Sequence, residues 1–104
     1  MEILGPRQIL FVDPDSANAQ YAGALLEQWG LRVTIAESYR EAIELTKTNI
    51  YDLILMDIES PDTGGVRTAH IIRRLGDQFQ DIPIIGYGTA PVNLTEHELT
   101  DFIF

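Results

Sequence analysis

The sequence predicts an α/β fold, a parallel sheet with helices on both faces. Residues 8–13 (QILFVD) and 51–57 (YDLILMD) are near-continuous apolar runs that each close on an aspartate, as expected of strands buried on both faces. Between and after them, strand-like runs alternate with helix-like stretches across short loops. That alternation implies βαβ units, whose right-handed crossovers set the ends of the first and third strands side by side.

The elements follow in order. Residues 8–13 form the first strand. A first helix is predicted over 17–29, where Tyr21, Leu25 and Trp29 recur at i+4 and Gly30 ends the run. Residues 32–36 (RVTIA) alternate Val33 and Ile35, as in a less fully buried strand. Ser38 and Glu41 match a capping box that opens a second helix reaching about Thr48. Residues 51–57 form the third strand, and the Pro61 to Gly65 stretch turns the chain away from it. A third helix is predicted over 66–75 and closed by Gly76, with Arg73 and Arg74 near its end suited to the helix dipole. Residues 82–87 (IPIIGY) form a fourth strand, with Pro83 near its start where a missing donor costs least. Thr95 and Glu98 suggest a short helix over 95–99.

Composition narrows the function. A chain of 104 residues with 45% hydrophobic residues can form one domain spanning 1–104 with one core. No apolar run approaches a membrane span, and the first residues lack a signal-peptide pattern. Zero cysteines excludes disulfides, thiolate metal sites and a thiol nucleophile, and fits a cytoplasmic protein. The net charge of −9 argues against binding a nucleic-acid backbone and suits basic partner surfaces or divalent cations.

The main constellation is the pair Asp13 and Asp57, brought together at the carboxyl edge where open α/β sheets bind ligands. Converging carboxylates repel, so one takes up a proton or a cation sits between them. Oxygen ligands, with no cysteine and no histidine in either loop, favour Mg²⁺ over a transition metal. Asp15 could supply a third carboxylate, or Asp15 or Ser16 could cap the first helix.

Three segments carry a family resemblance. ILFVDPDSAN, YDLILMDIESPDTGG and IPIIGYGTA resemble the first, third and fourth strand motifs of receiver domains of two-component response regulators, in order and over nearly the whole chain. The resemblance implies a doubly wound, flavodoxin-like parallel sheet with strand order 2-1-3-4-5. It implies that Asp57 is the phosphoacceptor, receiving a phosphoryl group from a phosphohistidine on a sensor histidine kinase or a histidine phosphotransfer domain. Asp13, Asp57 and the backbone carbonyl of Glu59 would then hold Mg²⁺, with Asp15 as a further candidate ligand. The chain would be an acceptor domain, not an enzyme, and could belong to a hybrid sensor kinase.

The chain departs from the family pattern at three places. Receivers carry a second acid after the first strand, and Pro14 stands there. The switch position that usually holds Ser or Thr falls on Gly88, with Thr89 one residue late. LTDFIF resembles the start of the fifth strand, with Phe102 as the aromatic switch residue, but the expected lysine would follow Phe104, where the chain stops. The expectation is therefore a receiver truncated within its fifth strand, leaving the fourth strand as an edge open to pairing with a second chain.

Other motifs carry less. His97-Glu98-Leu99 is similar to the histidine box of sensor kinases, but lies in too short a helix, and Gly86-Tyr87-Gly88 is a fragment of a dinucleotide fingerprint contradicted by Pro91. The leading reading is a phosphorylatable receiver whose modification switches a protein-interaction surface. The alternative is a degenerate receiver that acts as a phosphorylation-independent interaction module. Direct nucleic-acid or membrane binding is not expected.

Overall fold

The computed structural model describes residues 7–57, 64–87 and 101–103, without the side chains of 64–66 and 101–103. In chain order the elements are β1 (Gln8–Val12), α1 (Ser16–Gln28), β2 (Arg32–Ala36), α2 (Tyr39–Thr48), β3 (Leu53–Asp57), α3 (Gly64–Arg73), a 3₁₀ turn (Asp77–Phe79), β4 (Ile84–Tyr87) and β5 (Asp101–Ile103). All strand pairs are parallel, in the order β2-β1-β3-β4-β5. The expected doubly wound fold is present, with a three-residue β5.

Strand parity divides the sheet into two faces. Leu10, Val12, Ile54, Met56 and Ile84 are fully buried against Ala42 of α2 and Ala69 and Ile72 of α3. On the other parity, Ile9 and Phe11 are buried, as is Asp13 just beyond the strand, while Leu53, Leu55 and Asp57 are half-buried. The two runs read as strands thus bury both faces in β1, but in β3 only one face is fully closed.

The i+4 series Tyr21, Leu25 and Trp29 does mark a helix, but it lies on the outer face, with Tyr21 68% and Trp29 76% exposed. α1 docks instead through Ala19 and Gly23. A methyl group at Gly23 would sit 3.2 Å from Ile35 Cδ1, so the small residues set how closely α1 approaches β2. Gly30 ends the helix as expected, at φ +87° with its N–H donating to the Glu27 carbonyl at 3.0 Å.

α2 opens on Ser38, whose Oγ accepts from Glu41 N at 3.0 Å, while Glu41 Oε1 accepts from Glu37 N at 2.8 Å. The box is therefore one residue wider than expected. α3 ends at Arg73, earlier than expected, and Gly76 is extended (φ 169°) rather than left-handed, leading into the 3₁₀ turn. Arg74 donates to the His70 carbonyl at the helix end, as its position suggested. Arg73 reaches further, donating to the carbonyls of Phe79 at 3.0 Å and Ile82 at 2.6 Å, which ties the turn to the entrance of β4.

β5 changes the expectation for the sheet edge. Asp101, Phe102 and Ile103 pair with Ile85, Gly86 and Tyr87, so β4 is covered along three of its residues and β5 is the outer strand. The helix expected over 95–99 lies outside the described residues.

Candidate functional site

The site is built at the carboxyl edge by three strand ends. β1 and β3 run in register up to Val12 opposite Met56, so Asp13 and Asp57 follow at neighbouring positions, the pairing expected from the sequence. β3 and β4 end with Asp57 opposite Tyr87, and paired residues of parallel strands project to the same face. Asp13 N still donates to the Ala36 carbonyl at 3.0 Å, which extends the β1–β2 ladder to this residue and holds its carboxylate at the rim.

Asp13 is only 3% exposed, and a buried carboxylate needs donors or an opposite charge. Three donors meet it. Asp15 N donates to Oδ1 at 2.9 Å, the Tyr87 hydroxyl donates to Oδ2 at 2.6 Å, and Asn18 Nδ2 also donates to Oδ2. Among the described residues no lysine or arginine forms an ion pair with it. The Tyr87 phenol is pushed far above its ordinary pKa, first by burial, then by the hydrogen bond to Asp13 and the charges of Asp13 and Asp57. It is therefore a neutral donor, packed against Phe11 with ring centroids 5.5 Å apart.

Asp57 is half-buried, and its main-chain carbonyl accepts from the Tyr39 hydroxyl at 3.0 Å, which anchors the strand end to the start of α2. The Asp15 carboxylate caps α1, accepting from Asn18 N at 3.1 Å, while Ser16 Oγ donates to Glu37 Oε2 at 3.0 Å. Phe102 lies on β5 opposite Gly86. Glu59, Gly88 and Thr89 lie outside the described residues. Sequence reasoning missed Tyr87, Asn18 and Tyr39 as partners of the two acids. The available signal was parity, since Tyr87 ends its strand on the same side as Asp57.

The donor chemistry fits a hard divalent cation in part. Asp13 and Asp57 offer only oxygen, and Mg²⁺ is commonly held by one or two carboxylates, with waters and phosphate oxygens completing its shell. Among the described residues no group of three or more histidines or acids could enclose a metal ion by itself.

An open parallel sheet in this order, with two acids at the carboxyl ends of its first and third strands, defines a receiver-type α/β domain. The model of the response regulator receiver domain matches residues 9–102, and the chain belongs to that family, the receivers of two-component signalling. It is 38% identical over 81 residues to the CAI-1 autoinducer sensor kinase/phosphatase CqsS of Vibrio cholerae, covering 78% of this chain and 12% of that protein. It is 40% identical over 77 residues to the signal transduction histidine-protein kinase BarA of Escherichia coli, covering 74% of this chain and 8% of that protein. The chain thus spans a small part of the sensor kinases it matches. Among solved structures it resembles the response regulator TrrA of Thermotoga maritima, in complex with Mg²⁺-BeF, with a TM-score of 0.80 and 25% identity over 93% of this chain and 84% of that one. No helix among the described residues is long and apolar enough to cross a membrane.

Proposed function

We propose that the chain accepts a phosphoryl group on Asp57 from a phosphohistidine of a sensor kinase or phosphotransfer partner. The observation that carries this reading is the placement of Asp57 at the carboxyl end of β3, beside Asp13, in a receiver-family sheet. A carboxylate oxygen of Asp57 attacks phosphorus as the bond from phosphorus to the donor imidazole nitrogen breaks. The imidazole leaves with the bonding electrons and takes up a proton, and Asp57 becomes an acyl phosphate.

Asp13 and Asp57, with the Glu59 carbonyl and with Asp15 as a further candidate, are the residues that would hold Mg²⁺. When bound, the ion neutralises charge on the transferring phosphoryl oxygens. Tyr39 steadies the Asp57 backbone, and the sheet presents the half-buried acceptor at its carboxyl edge. Gly88, Thr89 and Phe102 are the proposed reporters of modification. The reading predicts that Mg²⁺ with fluoroberyllate, an acyl-phosphate mimic, shifts the amide resonances around Asp57, and that Asp57→Asn is silent. Equal spectra with and without the mimic would refute it.

A second reading is favoured by one specific observation. The Asp13 carboxylate is already satisfied by three protein donors, and Pro14 supplies no second acid. A receiver balanced in this way could serve as an interaction module independent of phosphorylation. Its signature is a partner affinity that does not change in Asp57→Asn.

A further inference from the structure

Tyr87 reaches past the end of β3 to the Asp13 carboxylate. It ends β4, while Asp13 follows β1, and β3 with its terminal Asp57 runs between them. Adjacent strands lie about 4.8 Å apart, so the Tyr87 and Asp13 side chains together bridge roughly two strand spacings past the end of β3. The ring packs on Phe11, and the hydroxyl stops 2.6 Å from Asp13 Oδ2 and 3.5 Å from the Val12 carbonyl.

The donor Tyr87 reaches Oδ2 from β4, with β3 and its terminal Asp57 lying between the two strands. A cation that uses Oδ2 must take a lone pair on it. Oδ2 already accepts from Tyr87 and from Asn18 Nδ2, which uses both of its lone pairs. Mg²⁺ binds oxygen at about 2.0–2.1 Å with strict geometry, and it cannot share a lone pair with a hydroxyl proton.

The geometry points to Tyr87 as a competitor of the divalent cation for Asp13: its hydroxyl holds Asp13 Oδ2, and a cation that takes this oxygen displaces it. This inference rests on the reading of Asp13 and Asp57 as the cation's ligands. It inverts the usual expectation for a residue that hydrogen-bonds a metal ligand. Removing a partner that only orients a ligand weakens metal affinity, commonly by about 10–100-fold. Removing a competitor strengthens it.

The test is a Mg²⁺ titration of the chain and of Tyr87→Phe, followed by the amide resonances of Asp13 and Asp57. Tyr87→Phe keeps the ring on Phe11 and deletes only the hydroxyl. Loss of a hydrogen bond to a charged group should tighten Mg²⁺ binding roughly tenfold in the variant. In the unaltered chain the Tyr87 ring resonances should move with the same midpoint as the amides. Asn18→Ala, at an exposed position, removes the other donor to Oδ2 and should also tighten binding, which keeps the test open if Tyr87→Phe folds poorly. An unchanged or weaker affinity in the variants, with a normal Mg²⁺ response in the parent, overturns the competition alone. No Mg²⁺ response in any of the proteins overturns both this inference and the cation site on which it rests.

Discussion

Asp13 shows at the residue scale how a buried anion is kept without a described cationic partner. Each donor to its carboxylate is worth about 1.5–3 kcal/mol when the acceptor is charged, whereas leaving such a group unpaired costs at least as much. Tyr87 supplies one of these bonds, and its stabilisation depends on pH. Its pKa is raised on folding, so its contribution is complete below the ordinary tyrosine value of 10.0. As pH rises above that value the unfolded chain loses a proton that the folded chain retains, and stability falls. Urea midpoints measured across this range should therefore drop more for the parent chain than for Tyr87→Phe, and parallel curves would show that the phenol is not held as described. Asp15 belongs to the same scale. Because its carboxylate caps α1, Asp15→Ala should cost about 1 kcal/mol in urea unfolding. A Mg²⁺ midpoint left in place by that change would remove Asp15 from the ligand set.

The elements were legible in the sequence where their signal is local. The runs ending at Asp13 and Asp57, the cap at Ser38 and the stop at Gly30 each depend on residues within a turn or a strand, and each was placed within about two residues of the structure, the usual margin for such boundaries. The buried face of α1 was not legible, because a helix that docks through Ala19 and Gly23 carries its large apolar residues outside. Periodicity reports that a helix exists, but here the face with the smallest residues packs on Val33 and Ile35. Gly23→Val should therefore destabilise the fold by about 1–3 kcal/mol through overpacking. Trp29→Ser, on the outer face, should stay within about 0.5 kcal/mol. Thermal unfolding of the pair checks this, and the reverse order would mean that α1 is rotated. The link from Tyr87 to Asp13 was illegible for a different reason. It joins positions 74 residues apart, and only the order of the strands brings them together.

At the scale of the whole molecule, the crossovers set β1 and β3 side by side and place β4 next to β3, which gathers Asp13, Asp57 and Tyr87 on one rim. The strand order came from the family resemblance rather than from composition, and the sheet has that order, closed at its outer side by the short β5. The fold supplies the proposed acceptor Asp57 and one neighbouring acid, Asp13, which Tyr87 and Asn18 hold. The proposal is that Asp57 accepts a phosphoryl group despite Pro14. Incubation with Mg²⁺ and acetyl phosphate, followed by intact-mass analysis, tests it most directly. One added phosphoryl group is expected on the chain and none on Asp57→Asn. No adduct at saturating Mg²⁺, or the same adduct on both proteins, would contradict it.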